Sequence, residues 1–241
     1  MFFLPDLSQR NVQPEVMDEP GLATDQHEQA LAGLRTINFF SASARMLWPA
    51  ILKLAREMGT GSLRLLDVAS GGGDVSIALW RKARRQGVRL TIVGCDTSLV
   101  AVEYAKRQSQ AAGTDIEFRV CDVLQEPLPA GFDVITSSLF LHHLAGDAAV
   151  ELLRRMANAA GRMVLVNDLR RSLTGYLLAQ AACRLLTASP VVRIDGPRSV
   201  GNAFTIAEMG ALCADAGVEG AAVYRRWPCR MLVVWRRGPQ R

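Results

Sequence analysis

Short apolar segments alternate with helical segments through the middle of the chain, and this alternation constrains the fold more than any other feature. Strands that alternate with helices need crossover connections, which are right-handed and produce a mainly parallel sheet. We therefore predict a doubly wound α/β fold. The predicted strands cover 63–69, 90–95, 116–121, 132–138 and 163–167, and the predicted helices cover 74–86, 98–112 and 147–159.

The C-terminal part of the chain breaks this alternation. Two apolar segments, 218–225 and 230–235, are separated only by a tight connection at Trp227-Pro228-Cys229. That connection is too short for a parallel crossover, so the two segments must form an antiparallel hairpin at one edge of the sheet. The complete prediction is a seven-stranded, mainly parallel sheet with a C-terminal antiparallel hairpin.

The first 60 residues have a different character and are predicted to be a leader with accessory helices, ahead of a main domain at 61–241. Prolines and polar residues in 1–20 suggest a loose leader. Helical periodicity follows at 24–40, with Thr24 as a candidate cap, and at 43–58, where Pro49 suggests a break.

An apolar helix is predicted at 172–188, between the fifth strand and the hairpin. Its leucines and alanines suit either buried core packing or one wall of an apolar substrate pocket. A turn at Asp195-Gly196-Pro197 and a further helix at 205–216 are predicted to follow.

Composition limits the classes of function. The five cysteines are widely spaced without a C-x-x-C pair, and only three histidines are present, so we expect neither a metal site nor a disulfide framework. Reduced thiols, the absence of a basic start before the apolar 1–4 segment, and no run long enough for a bilayer favour a cytoplasmic protein. The net charge of +5 comes from scattered arginine pairs, so nucleic acid is not the expected partner, while a homodimer stays open.

The most informative stretch is LLDVASGGGD at 65–74, where a predicted strand runs into a glycine-rich turn that opens a helix. Glycines let the backbone approach a ligand beside the free N–H groups of the helix start. The third glycine of a dinucleotide fingerprint is absent, since Ser76 stands in its place. Asp67, just before the turn, would repel a pyrophosphate but can accept hydrogen bonds from an ammonium group.

Two further acids end the next two strands. Asp96, followed by Thr97, can accept hydrogen bonds from ribose hydroxyls, and Asp122 can accept one from an adenine amino group while Val123 packs on the ring. Ligands of open α/β sheets bind at the carboxyl ends of the strands, where all three acids are predicted to lie. An ammonium, a ribose and an adenine together describe S-adenosylmethionine.

These segments resemble the successive motifs of class I S-adenosylmethionine-dependent methyltransferases, in particular bacterial enzymes for small molecules. The matching residues are LLDVASGGGDVSIAL, VGCDTS, CDV and FDVITSSLFLHHL, and the predicted hairpin completes the seven-stranded sheet of that family. The resemblance implies S-adenosylmethionine as cofactor, S-adenosylhomocysteine as product, and accessory helices over the active site. The implied cofactor contacts come from Asp67, Ala69, Gly71, Gly73, Asp96, Thr97, Asp122, Val123 and Ser138.

His142 and His143 follow the fourth strand, where the family places the methyl group, so they are the candidate catalytic residues. An imidazole titrating near neutral pH suits a base for a hydroxyl acceptor. We expect His142 to face the acceptor and His143 to pack, although both could be structural. His27 is read as a surface residue that could enter a closed pocket. Asn167-Asp168 is expected either to face the cleft or to cap a helix.

The predicted activity is transfer of a methyl group to a small, rather apolar acceptor, most simply a hydroxyl oxygen of a phenolic, polyketide-like or quinone-like compound. Carbon methylation of a quinone-like or lipid-like ring is the alternative, because a fold does not determine the acceptor atom. From a different class, a protein that binds the adenosyl cofactor without catalysis also fits the cofactor motifs.

Overall fold

The computed structural model describes residues 5–238; residues 1–4, which include the apolar start, and 239–241, at the end of the predicted main domain, lie outside it. The strands are β1 (Ser62–Val68), β2 (Arg89–Asp96), β3 (Glu117–Val120), β4 (Phe132–Ser138), β5 (Ala160–Leu169), β6 (Ala222–Arg226) and β7 (Arg230–Arg236). The helices are α1 (Thr24–Phe40), α2 (Ser43–Met58), α3 (Asp74–Arg85), α4 (Leu99–Ala111), α5 (Gly146–Ala159), α6 (Leu173–Leu186), α7 (Pro190–Asn202) and α8 (Ile206–Asp215), with short 3-10 helices at Val16–Asp18 and Leu141–His143.

The seven strands form one sheet in the order β3-β2-β1-β4-β5-β7-β6. The first five strands pair in parallel, whereas β7 pairs antiparallel with both β5 and β6. The predicted fold, a doubly wound sheet with a terminal antiparallel hairpin, is confirmed. β6 begins at Ala222 rather than at the predicted residue 218, because Gly217 and Gly220 adopt positive φ angles in the turns before it.

Each face of the sheet packs against helices, which explains why the central strands are almost continuously apolar. Neighbouring residues of β1 point to opposite faces, so Leu65 packs with α2, α3 and α4 while Leu66 packs with α5 and α8. Burial on both faces leaves the strand ends as the accessible edge. The cleft described below lies there.

The N-terminal segment is held in place, so the expectation of a loose leader is wrong for residues 10–18. The Arg10 guanidinium donates to the carbonyl oxygens of Asn202, His142 and Leu144 at 2.5–2.8 Å. The backbone N–H groups of Val16 and Met17 donate to the Asp195 carboxylate. Helices α1 and α2 begin and end as predicted, but no side chain caps α1, and Pro49 lies inside a continuous α2.

The region between β5 and the hairpin departs from prediction in two ways. Asp195-Gly196-Pro197 is not a turn but part of α7, which begins with the Ser189 cap and Pro190 in its first turn. Gly196 permits this packing because a β-carbon there would collide with the Cys183 sulfur of α6.

The prediction that the apolar helix packs in the core is also wrong. Most leucines of α6 are exposed, and Leu185 has 82% of its surface accessible. Only Gly175 and Cys183 of that helix are buried. In the described part of the chain, no helix combines the length and apolarity required to cross a bilayer.

Candidate active site

A cavity of about 620 Å³ lies at the carboxyl ends of β1, β2 and β4. Its size falls in the range of roughly 300–1,000 Å³ that small-molecule sites occupy. One wall is the glycine-rich turn after β1, and the opposite wall comes from the N-terminal segment and α1. The cavity is lined by eight of the nine residues expected to contact the cofactor, namely Asp67, Ala69, Gly71, Asp96, Thr97, Asp122, Val123 and Ser138.

Gly73 is the ninth, and it lies behind the turn rather than on the cavity wall. Its φ of +75° is left-handed, and a β-carbon there would lie 2.7 Å from the Phe118 ring. Ala69, on the cavity wall, also has a left-handed φ of 53° although it is not glycine. Such backbone strain in a non-glycine residue is typical of binding turns. Gly73 therefore shapes the turn that presents the lining residues.

Asp67 is almost completely buried at the base of the cavity. Its carboxylate accepts hydrogen bonds from the hydroxyls of Ser76 at 2.5 Å and Thr136 at 2.8 Å. Burial raises the pKa of Asp67 to about 6, and the hydrogen bonds from Ser76 and Thr136 only partly offset it. The carboxylate is thus ionised at neutral pH and poised to accept a further hydrogen bond.

The other two acids are oriented by main-chain amides. The Asp96 carboxylate accepts from the N–H groups of Gly71 and Ser98, and burial raises its pKa above the ordinary value despite these bonds. Asp122 accepts from the N–H of Leu124 at 2.9 Å, as a turn-capping acid does. Each carboxylate has remaining lone pairs for a ligand.

Several polar atoms on the cavity wall lack a protein partner. The hydroxyls of Ser70 and Ser138 and the side-chain oxygen of Asn38 are buried without a hydrogen bond within residues 5–238. Buried polar groups are normally hydrogen-bonded, so these three atoms indicate a polar ligand. S-adenosylmethionine, with its ammonium, carboxylate and ribose, fits this arrangement of donors and acceptors.

The structure places the two histidines in the reverse of the expected arrangement. His143 lines the cavity and donates from Nδ1 to the Asp18 carboxylate at 2.8 Å. The His142 side chain is only 3% exposed and lies behind it, with Nδ1 donating to the Asp168 carboxylate at 2.6 Å. The sequence could not show which histidine faces the cavity. Both lie in the 3-10 helix Leu141–His143, which is too short to have a periodic pattern that would indicate the direction of each side chain.

The surroundings of His143 are strongly acidic. Burial alone lowers its pKa, but the hydrogen bond to Asp18 and the charges of Glu15, Asp18 and Asp168 dominate and raise the pKa to about 9. Asp168 is a buried partner of His142, and neither Asp168 nor its buried neighbour Asn167 lines the cavity.

Sequence reasoning missed most of the lining contributed by the N-terminal segment. Nine of its residues reach the cavity: Met17, Asp18, Glu19, Pro20, Leu22, His27, Leu31, Leu34 and Asn38. His27 is half-buried there, and burial lowers its pKa. Leu31 and Leu34 had the helical spacing of a buried face, but nothing in that spacing shows which element the face covers. By contrast, α6, the expected pocket wall, contributes no residue to the cavity.

A family profile described as a methyltransferase domain matches residues 65–161, which run from β1 into β5 and include the glycine-rich turn, all three acids and both histidines. Residues 65–161 are therefore similar to methyltransferase domains. The resemblance seen in the sequence motifs is thereby confirmed, and the described cleft lies within this domain and its N-terminal cover.

Relatives of the methyltransferase domain include enzymes of quinone biosynthesis. The chain is 32% identical over 119 residues to a ubiquinone biosynthesis O-methyltransferase of Paracidovorax citrulli, covering 48% of each protein. It is 32% identical over 105 residues to a demethylmenaquinone methyltransferase of Thermus thermophilus, covering 43% of this chain and 46% of that protein. The matches thus span about half the length of these relatives.

Solved structures share the fold of most of the chain. The magnesium protoporphyrin IX methyltransferase of Synechocystis, solved with bound S-adenosylhomocysteine, superposes with a TM-score of 0.55 at 15% identity. That comparison covers 92% of this chain and 91% of the other. The S-adenosylmethionine-dependent methyltransferase SibL has a TM-score of 0.57 at 22% identity, over 73% of this chain and 50% of its own.

Proposed function

We propose that this chain binds S-adenosylmethionine and transfers its methyl group to a hydroxyl oxygen of a small, rather apolar phenolic or quinone-like acceptor. The observation that carries the proposal is the cavity at the strand ends, where Asp67, Asp96 and the unpartnered Ser70 hydroxyl converge beside His143. The likeness to quinone-biosynthesis methyltransferases supports the acceptor class.

The cofactor half of the cavity is assigned residue by residue. Asp67 and the glycine-rich turn would hold the amino-acid end, Asp96 the ribose hydroxyls, and Asp122 with Val123 the adenine. S-adenosylmethionine, when bound, supplies a methyl group on a sulfonium that leaves as a neutral thioether. The protein's task is to exclude water and align the acceptor oxygen with that methyl group.

The acceptor half lies toward the 3-10 helix Leu141–His143. Phe140 and Leu144 from that region, with Leu22 and Leu34 from the N-terminal segment, form apolar walls that suit a ring. His143 is a polar group beside them, and its Nε2, the ring nitrogen not bonded to Asp18, would face the acceptor hydroxyl. We propose His143 as the acceptor-side residue and His142 as the buried residue that positions it.

Calorimetric titration with S-adenosylmethionine, S-adenosylhomocysteine and NAD tests the cofactor assignment. We expect both adenosyl ligands to bind and NAD to fail. Folded protein that binds neither adenosyl ligand would rule out the proposal. A screen of dihydroxybenzenes and hydroquinones by mass spectrometry then tests transfer, with a gain of one methyl group per acceptor as the expected product.

Carbon methylation is the second candidate, supported by the likeness to the demethylmenaquinone enzyme. A product whose new methyl carbon is bonded to ring carbon in the NMR spectrum would favour it over an O-methyl product. Adenosyl binding without turnover on either acceptor class would favour a cofactor-binding protein without catalysis.

We also propose a cytoplasmic enzyme whose partner is the small acceptor rather than nucleic acid. The unpaired state of all five cysteines supports a reducing compartment. Cell fractionation with a tagged chain tests the compartment, and light scattering decides between monomer and homodimer.

A further inference from the structure

Three potential metal ligands meet beside the active-site cavity. Glu15 precedes the 3-10 helix Val16–Asp18, while His142 and His143 follow β4. Their ligand atoms all lie within 4.8 Å of one another. His142 Nε2 is 3.7 Å from one Glu15 oxygen, and His143 Nε2 is 3.8 Å from the other.

These distances suit an ion better than direct hydrogen bonds. A hydrogen bond between nitrogen and oxygen spans about 2.7–3.2 Å, so neither contact is one. Ligand atoms about 2.1 Å from a tetrahedral ion lie about 3.4 Å apart. The two nitrogen–oxygen separations exceed that value by a few tenths of an ångström, and all three ligand atoms lie within 4.8 Å of one another, so binding an ion requires side-chain rotation that draws them together.

The other nitrogen of each ring is already committed. His142 Nδ1 donates to Asp168, and His143 Nδ1 donates to Asp18. A metal ion that binds here would displace the proton from Nε2, the atom of each ring that faces Glu15, while Nδ1 keeps its proton for the carboxylate. Metal-ligating histidines almost always show this carboxylate contact on their second nitrogen.

The carboxylate of the cluster is also oriented. Glu15 accepts a hydrogen bond from the Ser199 hydroxyl at 2.6 Å, and its side chain is only 7% exposed. Buried charges are normally paired or bound to a metal. Glu15, Asp18 and Asp168 place three carboxylates around two imidazoles, so a cation between the three ligands balances the cluster.

We propose that Glu15, His142 and His143 bind one divalent metal ion, with Zn²⁺ the best match. Two histidines and one glutamate form a ligand set that suits Zn²⁺ and leaves a fourth position for another oxygen. His143 and Asp18 line the cavity, so that position lies near the acceptor half. This proposal differs from the prediction, made from the sequence, that the chain has no metal site. That prediction considered only the histidines and cysteines and did not include Glu15.

The use of this ion rests on the proposed function, although its binding does not. A Zn²⁺ ion that coordinates the acceptor hydroxyl would lower the pKa of that hydroxyl and help its oxygen attack the methyl group. The acceptor class is then a hydroxyl on a ring whose oxygen can become an anion. A carbon acceptor would gain less from such an ion.

Metal titration of the protein tests the site. Chelator-treated protein is titrated with Co²⁺, whose visible absorption reports tetrahedral binding, and then with Zn²⁺ in competition. We expect one Co²⁺ per chain, displaced by one Zn²⁺. Loss of a hydrogen-bond partner of a metal ligand typically weakens metal binding about 10–100-fold, so we expect the Kd of Asp168→Asn to rise within that range. Glu15→Gln and His143→Gln each remove a ligand itself, so their Kd should rise more than about 100-fold.

His27→Gln is the matched control, since this histidine shares the cavity but lies outside the cluster, and its metal affinity should stay at the wild-type value. Circular dichroism and S-adenosylhomocysteine titration verify that each variant is folded. No stoichiometric binding, or binding that survives both Glu15→Gln and His143→Gln, would overturn the proposal. Metal binding in protein that fails to bind S-adenosylhomocysteine would support the metal site and defeat the proposed function instead.

Discussion

Asp67 illustrates how burial tunes a single side chain at the base of the cleft. It is 2% exposed, and Asp74 and Asp96 add like charges to the effect of burial. The hydroxyls of Ser76 and Thr136 retain it as an ionised acceptor at neutral pH. A carboxylate with this balance can lose its charge under mildly acidic conditions.

We predict that cofactor affinity falls with acidification because the charged form of Asp67 is the one that attracts an ammonium. Its pKa is raised to about 6, so the charge is present above that value and is lost as pH falls through it. Between pH 7 and pH 5 the ionised fraction, and hence the affinity for S-adenosylhomocysteine, should drop about tenfold. Isothermal titration calorimetry with S-adenosylhomocysteine at several pH values measures this fall in affinity.

Asp67→Asn should bind weakly throughout and lose most of this pH dependence. Asp96→Asn is the comparison variant, because the pKa of Asp96 is raised as well. If the affinity of Asp67→Asn for S-adenosylhomocysteine still falls with acidification while that of Asp96→Asn does not change with pH, the titrating group is Asp96.

The two neighbouring histidines should separate stability from turnover. Removing His142 leaves the buried Asp168 carboxylate without its partner, which should cost about 2–4 kcal/mol of unfolding free energy in His142→Gln. His143 is more exposed, so His143→Gln should cost about 1 kcal/mol or less. Urea unfolding monitored by circular dichroism measures both values.

If His143 faces the acceptor as proposed, His143→Gln should lower kcat about 100-fold while leaving S-adenosylhomocysteine affinity near the wild-type value. Equal effects of the two variants on stability and on kcat would contradict this division of roles.

At the scale of elements, the turn from β1 into α3 depends on close packing beneath it. A β-carbon at Gly73 would lie 2.7 Å from Phe118 and 3.1 Å from Ala105, in a left-handed backbone. The ring of Phe118 therefore fills the space that glycine leaves. The turn is shaped from below by β3 and α4 as well as by its own residues.

We predict that Gly73→Ala destabilises the fold by about 2–4 kcal/mol, because strain from positive φ and overpacking add. Gly87→Ala is the matched control: Gly87 has φ +69° but open space around it, so only about 1–2 kcal/mol of backbone strain is expected. Thermal and urea unfolding compare the two. Similar losses in both variants would show that packing against Phe118 contributes nothing.

At the scale of the whole molecule, the N-terminal segment closes one side of the cleft by docking on α7 and the 3-10 helix Leu141–His143. Gln13 and Asn202 exchange two hydrogen bonds, and Arg10 stacks on the Phe204 ring. Because Met17 and Asp18 lie on the cavity wall, we expect docking of this segment and ligand binding to be coupled. We propose that residues 5–60 act as the cover of the domain.

We predict that Arg10→Ala loosens this cover, since three main-chain carbonyls lose a charged donor at a cost of about 1–3 kcal/mol. Hydrogen exchange at the amides of Gln13, Val16 and Met17, which are bonded to α7, should accelerate. Arg237→Ala is the control, because Arg237 also bonds carbonyls but on α5 and β5. Unchanged exchange in Arg10→Ala would show that other contacts hold the segment.

Local patterns in the sequence were enough to predict the seven strands, the hairpin and the glycine-rich turn. Strand and helix periods are properties of neighbouring residues, and a parallel sheet automatically brings Asp67, Asp96 and Asp122 to one edge. Eight of the nine residues named from the sequence therefore line the cavity, and Gly73 does not. Its role in packing depends on Phe118, which comes from another strand.

The acceptor side depended on tertiary structure. Glu15 meets His142 and His143 only because the N-terminal segment docks on α7, and no local pattern encodes that contact. The same docking buries His142, and the exposure of α6 depends on which neighbours it finds. The sequence by itself thus determined the sheet and the acids at its edge through short-range periodicity, whereas packing between distant segments decided what covers that edge and which groups line the rest of the cavity.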